Sequence, residues 1–226
     1  MLTLLLLLAA SYLLGSIPTS LIVSRRAAGI DIREHGSGNA GGTNVLRVVG
    51  WKAALVVAVV DVAKGSVAAL LPALVSPPPS VGAVTASTAC GLSAVVGHVY
   101  PVFASFRGGK GVGTSAGAMI VVQPLALACC VPVFALALLF GRMVSLASMS
   151  AAVALPVAAW LWRGTPWVAR EPFAFGALIA LALFVLFTHR ANIARMVAGS
   201  ESRIGKGFHR GESAERKNIS TGEERK

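Results

Sequence analysis

The segment Trp51–Val75, "WKAALVVAVVDVAKGSVAALLPALV", runs unbroken with only Lys52, Asp61 and Lys64 as charged side chains. As a helix it would be roughly 37 Å long, enough to cross the ~30 Å hydrocarbon core of a bilayer. Comparable apolar runs occur at the N-terminus and over residues 81–100, 116–140 and 173–188. No water reaches backbone groups inside a bilayer, so only helices or closed barrels span it. A barrel requires short segments of alternating polarity. These runs are instead continuous and rich in Leu, Ala and Val. The expected fold is an all-α integral membrane protein. At 13% charged residues and a mean hydropathy of +0.74, the composition falls far from the roughly 25% charged content of soluble domains.

Charge sets the expected topology. "MLTLLLLLAASYLLGSIP" has no positive residues ahead of its apolar stretch, and Arg25 and Arg26 follow it. It reads as a retained first span, about Leu2 to Val23, not a cleaved signal peptide. The positive-inside rule places the N-terminus outside and the loop from Ser24 to Lys52 in the cytoplasm. A second span, about Ala53 to Val75, ends at an outer turn, "SPPPS". A third runs from Val81 to about Tyr100. Residues 116–140 form either one span or two short segments broken at Gln123–Pro124. One span would leave the basic tail outside, although nine of the twenty Lys and Arg lie between Arg190 and Lys226. Two segments, with the apolar run between Arg142 and Trp162 as a further span, give about seven spans and a cytoplasmic C-terminus, as the charge bias requires. They also make "WRGTPWVARE" an outer loop, with Trp160, Trp162 and Trp167 at the interface. The final span is about Phe173 to Thr188.

On this reading residues 1–201 are one polytopic domain, and 202–226 form a basic tail too polar to pack. The net charge of +11 then reflects topology and attraction to anionic lipid headgroups, not nucleic acid. Cys90, Cys129 and Cys130 all lie in apolar segments without Cys/His ligand spacing. They are expected to be packing thiols, with no metal site.

Three polar clusters fall on the same membrane face. "GSGNAGGTNVLR" contains Gly36-x-Gly38-x-x-Gly41, with Asp61 downstream, as in a dinucleotide fingerprint. The charged "IDIREH" ahead of it is no buried strand, and Asp61 lies inside an apolar span. The glycines suit a different role, an anion nest of backbone N–H groups. Thr43 or Asn44 is the expected N-cap of a short helix, with Arg47 one turn on. "FRGGKGVGTS" misses the P-loop pattern at Ala104 and Gly111. What it offers is Lys110 among glycines at the start of a membrane helix, a compact charge suited to phosphate. In "HRANIARMVAGSE", His189 and Asn192 share a helix face at the end of the last span. His189 is open to reading as a base, a phosphate donor or an interfacial histidine.

These motifs, together with "GSIPTSLIVSR", "DVAKG" and "GHVYPVFASFRGGKGVGT", resemble the bacterial acylphosphate:glycerol-3-phosphate acyltransferase family. The order and spacing agree from about residue 10 to Glu201. Gly42 departs from the family, which more often has Ala there.

The resemblance implies a seven-span inner-membrane enzyme, without cofactor, that moves a fatty acyl group from acyl phosphate to the 1-hydroxyl of sn-glycerol 3-phosphate. The products are lysophosphatidate and inorganic phosphate, in the first acylation of bacterial phospholipid biosynthesis. A soluble enzyme making acyl phosphate is the implied functional partner. The candidate catalytic residues are Ser37, Arg47, Lys110, His189 and Asn192. Candidate substrate or phosphate contacts are Gly36, Gly38, Asn39, Thr43, Asn44, Gly108, Gly109, Gly111 and Ser145, the last equally readable as an interhelical serine.

Asp61 and Lys64, three apart on one helix face, are expected to pair because unpaired charges at membrane depth are costly. Asp61 is read as structural, a partner or orienter of a basic group. Glu201 is likewise read as structural, pairing with a loop arginine. Two rivals are weaker. A transporter would carry its binding groups near mid-membrane with related halves, and a metal-dependent alcohol phosphotransferase needs an aspartate-rich motif. Asp31 and Asp61 are the only aspartates in the chain.

Overall fold

The computed structural model describes residues 1–75, 81–163 and 171–204. The expected outer turn at 76–80, most of the expected outer loop including Trp167, and the tail after 204 lie outside these residues. Among the described residues the chain is entirely helical apart from loops. Its helices are α1 (Leu2–Gly15), α2 (Thr19–Ala28), α3 (Gly42–Val48), α4 (Trp51–Val75), α5 (Ala83–Val99), α6 (Val112–Val122), α7 (Pro124–Gly141), α8 (Val144–Leu161), α9 (Pro172–Thr188) and α10 (Arg190–Val197). Short 3-10 turns follow α2 at Ile32–Glu34 and α5 at Val102–Ala104.

Five segments are long and apolar enough to cross a membrane: Leu2–Ala28, Trp51–Val75, Ala83–Ala104, Pro124–Gly141 and Val144–Leu161. A sixth is the pair α9 and α10, bent by 56°. α6 is a shorter apolar helix. The break expected at Gln123–Pro124 is a helix boundary, with Pro124 in the first turn of α7, where its missing N–H costs nothing. α6 begins at Val112, earlier than the expected Ala116, because Gly111 takes up a left-handed φ of 81° and turns the loop into the helix.

The first span differs from the continuous helix expected over Leu2 to Val23. It breaks after Gly15 and resumes at Thr19, because Pro18 has no N–H to continue the α1 ladder. Its carbonyl instead opens α2, accepting from the Ile22 N–H at 3.1 Å. The pair then extends to Ala28, further than expected.

Close backbone approach holds the inner helices together, as is usual where lipid surrounds the fold. A methyl on Gly117 of α6 would fall 1.9 Å from the Val62 carbonyl oxygen of α4, and one on Gly65 would fall 2.1 Å from that of Thr114. α1 meets α5 in the same way through Gly15 and Gly97, and Ser93 donates to the Leu8 carbonyl at 2.8 Å. Across the bundle Met119, Leu155, Leu178, Leu181 and Val185 form the main apolar core. α7 packs chiefly on α8 and only lightly on α6. Cys90 and Cys130 are buried within the helices as free thiols. Many exposed Leu, Val and Phe side chains, such as Leu5, Leu139 and Phe140, are the lipid-facing surface of such a bundle.

Candidate active site

The three polar clusters converge at one end of the bundle. Arg33 ties the first loop to the second: it pairs with Asp31 at 2.7 Å and donates to the Ala104 carbonyl at 3.1 Å. The Arg33 guanidinium, ahead of all other influences, holds the Asp31 carboxyl well below its ordinary range. Thr188 at the end of α9 donates to the Lys110 carbonyl at 3.2 Å, tying the third cluster to the second.

The first loop is built around Asn44. Its Oδ1 accepts from the Ser37 N–H at 2.9 Å, and its Nδ2 donates to the carbonyls of Ile32 and His35 at 3.0 and 2.9 Å. Asn44 is therefore the organiser of the loop and not the expected helix cap. α3 starts earlier, with Gly41 in the N-cap position, because the Asn44 amide is fully engaged inside the loop. Thr43 lies in the first helical turn and does not cap. Gly36 lies against the Asn44 side chain and Asn39 folds over Gly41.

The anion nest expected from this loop is partly occupied, with the N–H groups of Gly42 and Thr43 at the start of α3 left open among the described residues. The N–H groups of Ser37, Gly38, Gly41 and Asn44 all have acceptors within the loop. In the second loop, Gly108 and Gly109 donate to the carbonyls of Val99 and His98.

Lys110, Asn192 and Glu201 form the centre. Lys110 Nζ donates to Asn192 Oδ1, and Asn192 Nδ2 donates to Glu201 Oε1 at 2.6 Å. Ser145, in the first turn of α8, donates to the same Oε1 at 2.6 Å. Arg195 Nε donates to Glu201 Oε2 at 2.7 Å. The glutamate thus pairs with an arginine of α10 and not with the loop arginine expected. Burial favours its neutral form, yet these three hydrogen bonds carry its pKa below the ordinary value.

Arg47, half-buried on α3, lies close enough to sense the charges of Glu201 and Arg195. Desolvation lowers its pKa, opposed by Glu201 and reinforced by Arg195. Burial pushes Lys110 down to about 8, with Glu201 opposing and Arg195 and Arg47 adding to the shift. Two further cations beside a lysine already losing hydration make a site that gains by receiving an anion.

α9 ends at Thr188, and His189 is the joint to α10. His189 is therefore at the bend and Asn192 in the first turn of α10, and both are buried. His189 Nδ1 lies 2.8 Å from the Val185 carbonyl. A carbonyl only accepts, so Nδ1 carries the proton, and in the neutral ring Nε2 is an acceptor. Among the described residues, no hydrogen bond engages the Arg47 guanidinium, His189 Nε2 or the hydroxyls of Ser37 and Thr43.

Asp61 and Lys64 lie deeper, with Lys64 Nζ 2.9 Å from Asp61 Oδ1. Lys64 also donates to the Ile17 carbonyl at the α1–α2 break. His98 of α5, absent from the sequence-based candidates, completes this cluster with Nδ1 3.5 Å from Asp61 Oδ1. Arg195 was also missed, although it lies three residues after Asn192 and so shares its helix face. Among the described residues no group of three His, Cys, Asp or Glu side chains is placed to hold a metal ion.

Beside the polar centre, α6 to α9 line an apolar cavity of about 260 Å³ that opens to the outer surface of the bundle. Val112, Ser148 and Val185 line its end nearest the polar residues, and Met119 and Leu155 lie further along the same helices.

Comparison with known proteins places this architecture. The family model for glycerol-3-phosphate acyltransferase matches residues 5–199. A protein named glycerol-3-phosphate acyltransferase from Chlorobium phaeobacteroides (strain BS1) is 42% identical over 231 residues, covering 90% of this chain and 97% of its own. Its namesake from Chlorobaculum parvum is 42% identical over 228 residues, with the same coverage. Crystal structures of PlsY (YgiH), an integral membrane glycerol 3-phosphate acyltransferase, superpose with a TM-score of 0.76 at 33% identity. They cover 90% of this chain and 96% of theirs, and were solved in a glycerol 3-phosphate form and a lysophosphatidic acid form. With sequence and fold in agreement over nine tenths of its length, the chain belongs to the glycerol-3-phosphate acyltransferase family.

Proposed function

We propose that this membrane protein transfers a fatty acyl group from acyl phosphate to the 1-hydroxyl of glycerol 3-phosphate, releasing lysophosphatidate and inorganic phosphate. The observation that carries the reading is the position of Lys110. It stands among Arg47, Arg195, Asn192 and His189, two residues before Val112, which lines the apolar cavity. A cationic polar centre joined to apolar space fits a reactant with a phosphate head and a fatty chain.

In this mechanism the glycerol hydroxyl oxygen attacks the acyl carbonyl carbon. The bond from that carbon to the phosphate oxygen breaks, and phosphate leaves with the electron pair. The hydroxyl proton passes to the leaving phosphate or to His189 Nε2, the acceptor nitrogen of the neutral ring. An acyl phosphate carries its own good leaving group, so no protein nucleophile is required. Acceleration comes from alignment and from cations placed where negative charge develops. Lys110 and Arg47 neutralise phosphate, the Ser37 hydroxyl adds a hydrogen bond, and Asn192 orients the glycerol backbone. Ser145 and Glu201 hold Asn192 and Arg195 in place, and the acyl chain lies along the cavity. The site faces the cytoplasm of the bacterial inner membrane, where acyl phosphate from a soluble enzyme would reach it. The five basic residues between Ser24 and Lys52 support that orientation.

Purified protein in detergent or lipid should convert labelled glycerol 3-phosphate to its acylated form with equimolar phosphate release from acyl phosphate, without added metal or nucleotide. Transfer from acyl-CoA or acyl carrier protein, with none from acyl phosphate, would overturn the donor assignment.

A further inference from the structure

The Asp61–Lys64–His98 cluster touches neither the centre at Glu201 nor the apolar cavity. It sits beneath the loop that carries Lys110. His98 is 8% exposed, with Nδ1 directed at Asp61 and the other edge of its ring against Gly109. A methyl on Gly109 would fall 2.2 Å from His98 Nε2 and 2.8 Å from the Ala40 carbonyl oxygen. Gly109 is thus closed, on the side where a Cβ would stand, by the histidine ring and by the first loop. Its N–H, and that of Gly108, are bound to carbonyls of the same helix end, those of His98 and Val99. The next residue is Lys110. Asp61 is anchored in turn, since Lys64 bridges it to the Ile17 carbonyl where the first span is broken. A cavity of about 10 Å³ lies among Asp61, Lys64, His98, Arg107, Gly108 and Gly109, and removing the ring would enlarge it and give the loop room to sink.

We propose that His98, held by Asp61 and Lys64, is a positioning residue: the shelf that sets the height of the Gly108–Lys110 loop and hence the place of the Lys110 ammonium in the site. The inference rests on the acyltransferase reading above. Its physical basis is that a shift of about 1 Å in a group aligning the reactants costs on the order of 100-fold in kcat/KM. A charge that binds a phosphate-bearing substrate also registers displacement in KM. A role confined to stability would lower only the amount of active protein.

The test is steady-state kinetics on wild type, His98→Ala, His98→Gln and Gly109→Ala, varying acyl phosphate and glycerol 3-phosphate in turn. Folded protein is normalised by gel filtration. His98→Ala is expected to raise KM for at least one of the two substrates by about fivefold or more and to cut kcat/KM by about 100-fold. His98→Gln, whose amide reaches toward the Nε2 position, should recover most of that loss. Gly109→Ala pushes the same contact from the other side and should give the same KM pattern, which keeps the test valid where His98→Ala does not fold. Combined, the two substitutions should cost less than the product of their separate effects, because they disturb one contact. Unchanged KM values in both single variants, or fully multiplicative losses in the double variant, would overturn the positioning role. A wild type that transfers no acyl group would instead remove the acyltransferase reading itself.

Discussion

The two sides of α6 are built to opposite specifications. Toward α4, Gly113 lies against Asp61 and Gly117 against the Val62 carbonyl, while Gly65 of α4 lies against the Thr114 carbonyl. At two of these contacts there is no room for a methyl. Toward α7, Val112, Ala116 and Met119 line an open apolar cavity of about 260 Å³. The glycines recur four apart on one face, while Val112, Ser115, Ala116 and Met119 lie on another, with Gly113 bordering both, so one short helix serves both functions. The tight side fixes where Lys110 stands at the start of the helix. The open side leaves space for an apolar chain. A helix packed equally on all sides could do the first but not the second.

The comparison breaks most severely at Gly117. Gly117→Leu drives a side chain into the α4 backbone, an overpacking of about 3 kcal/mol or more. The variant should yield little folded protein by gel filtration and no activity; a well-folded, active variant would show that the tight side is not tight. Lys110→Ala tests the position that side secures. It should elute as wild type does but lose about 1,000-fold in kcat, the scale of removing a group that stabilises developing charge. A loss below tenfold in the transfer assay would move the centre of the site elsewhere.

Much of this arrangement was legible in the sequence, for identifiable reasons. Apolar length and charge bias are local, so the helices that span and the break at Pro124 could be read directly. The break at Pro18 was not, because a proline that opens a helix leaves a sequence as apolar as a continuous span. Asn44 was assigned to a helix cap because Asn commonly caps; its contacts with Ile32 and His35 depend on how the glycine loop folds back. Lys110, Asn192 and Glu201 could be nominated separately, but not their joining, which needs three loops to meet. His98 carried no local signal at all. Its partners come from α4 and from the second glycine loop, and a histidine at the end of an apolar helix reads equally well as core.

The open side of α6 is tested by filling it. Ala116→Phe or Ala152→Phe places a ring in the cavity without touching the polar centre. Transfer from long-chain acyl phosphate should fall about tenfold in kcat/KM relative to a short-chain donor, the scale on which apolar pockets discriminate by size. Thermal stability should hold or rise. Equal losses for short and long donors would mean that the chain lies elsewhere.

The smallest expected effect is on pH dependence, and it bears on Lys110, where the two sides of α6 meet. Burial lowers this lysine from 10.5 to about 8, so its charge is lost as pH rises through about 8. Activity that depends on that charge should decline over the same interval, and Lys110→Arg, if it keeps measurable turnover, should show no such limb. Stability should move the other way. Between about 8 and 10.5 the unfolded chain holds the proton that the folded chain has released, and stability rises with pH wherever the unfolded state binds more protons. Wild type should therefore gain resistance to thermal unfolding relative to Lys110→Met across that window, while its turnover falls. Matching trends in turnover and stability would mean that Lys110 is not held desolvated at the head of α6. The rigid packing on α4 would then have to be positioning some other charge.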